Sequence, residues 1–254
     1  DSGAGTGDLT FTLNGGDATL NGAVGGNAPL NRVFDTTSAG TININGGEVT
    51  TTSSQTYDTA VVLVTDTNLS STGGAITFNN TLDGGHALTV SSGGVSNLTF
   101  GDAVGGNDAL ASLNASANGN IININGPATV ETTGAQTYND TVAFGNIATL
   151  TGTDLTFNDD LNNSAPATLN GSGTTTFNGD VLNASITTDG SGTAAGTTVI
   201  NTANINPNGG AITFNDPVTL TADTTLDGST ITLASTVDGA RNLTLNSGGN
   251  TTLG

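Results

Sequence analysis

An apolar residue, three mostly small or polar residues and a second apolar residue recur along almost the whole chain. This spacing limits the possible folds more than any other feature. The pairs are Leu20/Val24, Tyr57/Val61, Phe78/Leu82, Phe100/Val104, Tyr138/Val142, Phe157/Leu161, Phe177/Val181, Phe214/Val218 and Leu233/Val237. Their first members lie roughly 19–22 or 37–38 residues apart. The long gaps are about twice the short ones, and each holds an apolar rung of its own: Ile42 and Ile44, Ile122 and Ile124, Val199 and Ile200. A fixed period of this size marks stacked repeats that touch only their neighbours. Residues 1–254 therefore read as one continuous β-solenoid of about twelve coils of about 20 residues, a segment of a longer chain or a polymer subunit.

A longer period runs through the first. Ala23-Val24-Gly25-Gly26-Asn27 returns as Ala103-Val104-Gly105-Gly106-Asn107, and Ile42-Asn43-Ile44-Asn45-Gly46 as Ile122-Asn123-Ile124-Asn125-Gly126. Gln55-Thr56-Tyr57 returns as Gln136-Thr137-Tyr138, and Tyr138-Asn139-Asp140-Thr141-Val142 as Phe214-Asn215-Asp216-Pro217-Val218. At about 20 residues per coil, an offset of about 80 predicts four whole turns, which would leave equivalent residues on one side of the rod.

The local chemistry selects strand. Glycine, threonine and asparagine are poor helix formers, and no stretch keeps a 3.6-residue apolar period. Leu9–Leu13, Ile42–Ile44, Leu88–Val90, Leu98–Phe100, Leu155–Phe157 and Leu243–Leu245 alternate apolar and polar, so one face of each points inward. Between them lie turn formers: Asn14-Gly15-Gly16, Gly25-Gly26-Asn27, Asp83-Gly84-Gly85, Ser91-Ser92-Gly93-Gly94, Asp189-Gly190-Ser191-Gly192 and Asn246-Ser247-Gly248-Gly249. These would also suit antiparallel hairpins. A hairpin array, however, has no reason to conserve total circumference while turn length varies, and a coil does. The expected fold is a right-handed parallel β-helix with Phe78, Phe100, Phe157, Phe177 and Phe214 inside. Stacking would let Asn43 and Asn45, like Asn123 and Asn125, join amide ladders along the axis.

Composition narrows the function. Hydrophobic residues make up 34% and aromatics 4%, which with a net charge of −19 raises the question of disorder. The regular β-branched triplets answer it, because a thin coil enclosed by one chain needs few apolar residues. There is no lysine, and only Arg32 and Arg241 are basic, which excludes a nucleic-acid partner. The longest apolar run, Ala60–Val64, is far too short to span a bilayer, so no membrane insertion is expected. Cysteine, methionine and tryptophan are absent, which suits a long-lived extracellular protein.

Gly-Ala-Ile-Thr-Phe-Asn at 74–79 and 210–215, Gln-Thr-Tyr with an apolar residue four on, and the Gly-Gly and Asn-Gly corners resemble the repeat region of filamentous-haemagglutinin-type bacterial exoproteins and related giant adhesins. The similarity covers essentially all of the chain. It implies secretion to the bacterial cell surface, a right-handed parallel β-helix, and a role in adhesion, biofilm or fibres. Asn206-Pro207-Asn208-Gly209 resembles a tetrapeptide of that family's secretion domain but sits deep in the repeats, so it reads as a corner.

Chemistry is sparse. β-Helix enzymes that act on polysaccharides need clustered carboxylates with a base or cation beside them. The best acid pair, Asp159-Asp160, reads as solvated corner residues, and the sole histidine, His86, as a surface residue. No residue is singled out as catalytic, cofactor-binding or metal-ligating. The aspartates offer hard oxygens that would hold Ca2+ weakly at stacked corners, although the nearest approach to a calcium-roll motif, Gly105-Gly106-Asn107-Asp108, lacks its third glycine. Sequons are plentiful, and the threonine runs 50–52 and 174–176 are too irregular for an ice-binding array. Tyr57 and Tyr138 read as substitutes for Phe in the core, their hydroxyls meeting water; the alternative is a pair of sugar-stacking platforms on one face. The expected role is a non-enzymatic structural or adhesive segment of a surface fibre. Its partners would be neighbouring repeats or copies end to end, and surface glycans or other cells. The alternatives are a self-assembling filament subunit and, third, a polysaccharide-acting enzyme.

Overall fold

The structure, a computed structural model, describes residues 7–37, 39–126, 129–189 and 196–254. Their strands are all short and their pairings all parallel, so the hairpin alternative does not occur among them. Each coil passes through three sides, named faces I, II and III in chain order. Face I is an unbroken sheet of twelve strands from Asp8–Phe11 to Leu243–Ser247. Face III is a ten-stranded sheet from Glu48–Thr51 to Val237–Asp238. Face II has a four-stranded part, Ala18–Leu20 to Leu82–Asp83, and a seven-stranded part, Thr129–Glu131 to Thr251–Leu253. Val104 joins the two parts, bridging Leu82 on one side and Val130 on the other. The result is a β-solenoid of about twelve coils and about 20 residues per coil, a rod of about 55 Å at the sheet spacing of about 4.8 Å.

The repeated apolar pair marks a corner. Phe78 ends a face I strand and Leu82 opens the next strand on face II, so the three residues between them turn the chain and both apolar ends point inward. Phe78, Phe100, Phe157, Phe177 and Phe214 are all buried, as expected. Their rings stack along the axis. Tyr57, Phe78 and Phe100 lie 5.1 and 5.6 Å apart on face I, and Tyr138, Phe157 and Phe177 lie 5.2 and 5.7 Å apart on face III, with planes within 13° of parallel.

The two stacks occupy different faces, which corrects the four-turn expectation. From Gln55–Tyr57, three coils along face I lead to Ile122–Ile124, and Gln136–Tyr138 lies two faces further, on face III. From there, three coils along face III lead to Thr197–Ile200, and Ile212–Phe214 again lies two faces further, on face II. The long repeat therefore spans three and two-thirds coils. Its successive copies place the same column on faces I, III and II: Tyr57–Phe78–Phe100, Tyr138–Phe157–Phe177 and Phe214–Leu233–Leu253. The four-turn figure failed because coil length is not constant. Asp8 pairs with Arg32, 24 residues on, whereas Val142 pairs with Leu161, 19 residues on.

Two of the long coils owe their extra length to the Gly-Gly-Asn segments, which are not corners. Val24 pairs with Val49 and Leu30 with Thr51, so six residue steps oppose two and four residues loop out of a continuing strand. Val104 and Leu110 repeat the arrangement against Val130 and Thr132. Gly105 has φ +72°, and a Cβ there would stand 2.2 Å from the Glu131 carbonyl oxygen. Asn206-Pro207-Asn208-Gly209 does form a corner, with Asn208 and Gly209 left-handed and the Gly210 N–H donating to Pro207. Of the expected corner at Asp189–Gly192, residues 190–192 lie outside the described residues.

Two substitutions separate strain from steric fit. Gly119 is left-handed at φ +80° but has open space where a Cβ would go, so Gly119→Ala should cost about 1–2 kcal/mol from backbone strain alone. Gly105→Ala meets both strain and a fixed backbone oxygen, and should cost at least twice as much in urea denaturation. In the core, Phe157→Ala removes the ring between Tyr138 and Phe177. It should cost about 3–5 kcal/mol, with hydrogen exchange accelerating first in the adjoining coils.

Candidate functional site

The two tyrosines belong to the interior. Tyr57 and Tyr138 are 0% exposed, which ends the platform reading and also corrects the expectation that their hydroxyls meet water. Each hydroxyl donates instead to a glutamine two residues earlier: Tyr57 to Gln55 Oε1 at 2.9 Å and Tyr138 to Gln136 Oε1 at 2.8 Å. The glutamine Nε2 donates in turn to backbone carbonyls, Val49 and Ser70 in the first copy and Val130 and Thr151 in the second. Burial pushes both phenols above the ordinary tyrosine pKa. In the third copy Ile212 and Phe214 stand at these positions, so both polar partners are replaced together.

The corner aspartates fasten one coil to the next. Asp83 accepts the Asn107 N–H and side-chain amide at 2.9 and 3.1 Å, while Asp108 accepts the Gly85 N–H at 3.0 Å, so the Gly105–Asp108 segment is clasped by amides. Asp159 accepts from Asp160 N–H and Thr141, and Asp160 from Asp180 N–H, which makes both members of the best acid pair structural corner groups. Asp140 accepts the N–H groups of Ala117 and Gly119, each at 2.6 Å, and the Ser116 hydroxyl at 2.8 Å. Burial raises its pKa, but these donors together outweigh burial and hold it below the ordinary aspartate value. His86 is half exposed, its Nδ1 3.7 Å from Asp66. Among the described residues no three Asp, Glu or His side chains gather to hold a metal ion.

The asparagines do form a ladder, mostly away from the expected positions. Asn45 donates to Asn21 at 3.1 Å. The long ladder stands at the corner between faces III and I: Asn139 donates to Asn114, Asn158 to Asn139, Asn178 to Asn158 and Asn201 to Asn178, at 2.7–3.1 Å, and Thr221 donates to Asn201 at 2.9 Å. Its source is the asparagine that follows each apolar strand end on face III. In the threonine runs, Thr51 and Thr175 point into the core, which leaves no flat threonine array.

Among the described residues, two concavities open to the outside bear on function. One is a shallow groove of about 370 Å³ at the corner between faces I and II. Asn123 and Asn125 edge one side and Asn162 and Asn183 the other, over a floor of Ala143, Gly145 and Asn163. Asn183 donates its amide to Asn162. Asn163 occupies the register position after Phe144, which itself follows Ile124, and Asn183 comes next. It is completely buried, and neither Nδ2 nor Oδ1 has a hydrogen-bond partner. The sequence signal was a polar residue at an inward position, two after Leu161, and it is easily lost among so many asparagines. The other concavity, about 230 Å³, lies against the last coil and is lined by Leu233, Val237, Leu243, Leu245 and Leu253.

No family model, no curated protein and no solved structure matches the chain. The architecture is that of a parallel β-solenoid repeat protein, and the likeness to filamentous-haemagglutinin-type repeats rests on the motifs alone.

Two outcomes follow from the buried polar groups. Gln136→Leu alone strands the Tyr138 hydroxyl and should cost about 2–3 kcal/mol, while Gln136→Leu with Tyr138→Phe should recover most of that loss. A double-mutant cycle by urea denaturation measures the coupling. Because the folded pKa of Asp140 is depressed, its stabilisation is present above the unfolded carboxyl pKa and is lost as pH falls through the folded value. Protection of the Ala117 and Gly119 amides should therefore fall selectively below the ordinary carboxylate range, and Asp140→Asn should remove that pH step.

Proposed function

We propose that the chain is a non-enzymatic structural and adhesive segment of a secreted fibre on a bacterial cell surface. The observation that carries this reading is the unbroken twelve-stranded sheet of face I, which makes the molecule a rod whose length follows directly from its number of coils. The corner carboxylates described above accept hydrogen bonds mostly from groups of the adjacent coils, an arrangement suited to stiffness and solubility. The resemblance to surface-adhesin repeats supplies the cellular setting, and the deficit of basic residues argues against nucleic acid as the surface bound. Calcium bound weakly at the aspartate corners would add stiffness without being required by the fold.

A second reading, a self-assembling filament subunit, is favoured by the stacking itself: every coil joins its neighbours by parallel ladders, and two rods could join end to end in the same way. Electron microscopy of the purified chain separates the two readings. Dispersed rods of about 55 Å support the fibre segment, and long uniform filaments support the subunit. Release of reducing ends from a polysaccharide panel by the purified chain would overturn both.

A further inference from the structure

The amide-edged groove between faces I and II differs from the rest of the surface in three ways. First, it is uncharged: in a chain of net charge −19, no carboxylate or cation lines it. It therefore selects neither a metal ion nor an anion. Second, its edges are primary amides, each offering donors and acceptors together, while its floor is short and partly apolar at Ala143, Gly145 and the edge of Phe144. Third, the floor contains a buried polar side chain with nothing to bond to. An unpaired amide inside a protein is costly, and one buried directly after Ile124 and Phe144 in an inward column calls for a partner from outside the chain.

Hydroxyl groups that both donate and accept, set around an apolar C–H surface, match these features together. We propose that this groove binds a neutral sugar unit of an oligosaccharide, with the amides of Asn123, Asn125 and Asn162 meeting its hydroxyls and Asn163 taking one hydroxyl through the floor. A volume of about 370 Å³ falls within the range of small-ligand sites. The proposal deepens the adhesive reading by naming a ligand class. Its failure would leave the rod's spanning role, judged by electron microscopy, standing.

The test uses the whole chain with maltohexaose, cellohexaose and chitohexaose, followed by saturation-transfer NMR and titration calorimetry. At least one should bind with a Kd of about 1 mM or tighter. Ala143→Leu fills the groove from an outward-facing position and should weaken binding by about tenfold or more with an unchanged melting temperature. Asn163→Leu extends the apolar run of Ile124 and Phe144, and should maintain or raise the melting temperature while weakening binding to a similar degree. Should either of these fail to fold, Asn123→Ala, on the outer side of its strand, should still weaken binding. No binding of any of the three sugars at about 10 mM overturns the proposal, as does binding that survives these substitutions in folded protein.

Discussion

Everything in this molecule depends on parallel strands stacking like over like at about 4.8 Å. Once one coil puts an aromatic ring inward at the end of a strand, the next coil must supply something that fits flat against it. Phe78 lies between Tyr57 and Phe100 with ring planes within 10° of both neighbours. Such a column takes only one apolar residue from each coil of about 20, so a chain with few hydrophobic residues still has a continuous core. The same stacking, applied to the solvent side, turns asparagines into a hydrogen-bonded ladder over successive coils. Inside and outside obey one rule, and the polarity of the side chain decides which interaction results.

That rule makes an interior polar group a serious matter, because it has a neighbour above and below and no route to water. The Gln–Tyr pairs show how the cost is met: hydroxyl to amide oxygen, amide nitrogen to backbone carbonyls, with every partner inside the coil. The third copy meets it by removing both partners at once, with Ile212 and Phe214. Asp216 shows a further solution, accepting hydroxyl hydrogen bonds from Thr188 and Thr198. Against these, Asn163 stands out because nothing in the chain answers it and it borders the groove between faces I and II rather than the closed interior.

Strand positions and the inward aromatics were legible in the sequence because a two-residue alternation ending in a turn has one physical meaning. The alternating triplets became strands, and the five phenylalanines became core. The corner motif was legible as a repeat, but not as to which corner it marks. A three-sided coil has three equivalent corners, and residues such as Tyr57/Val61 and Tyr138/Val142 look alike whether they turn the chain from face I to II or from III to I. Only pairing distinguishes them. Loops that leave a strand and return to it, as at Gly105–Ala109, add residues without adding a side, and so break any count of turns by length. The groove was illegible for a different reason: its edges come from three coils, and its key residue is an asparagine in a chain full of them.

The mismatch between long repeat and coil has a structural consequence. Each copy is one side short of four turns, so each inherits the pattern of the last rotated by one face. Such an offset would wreck a sheet whose faces differed in length or curvature. Here it is harmless, because strands of two to five residues serve on any side and the corner motif closes any of the three angles. Three copies of three and two-thirds coils make eleven whole coils, and the pattern then returns to its starting face. Leu20 in the first coil and Leu253 in the last are the corresponding residues, and both lie on face II. A rod built this way distributes its aromatic columns around the axis and places no single face under all the stacked rings. Any surface feature carried by every copy would likewise be displayed in all three directions, which is a useful geometry for a fibre approached from any side.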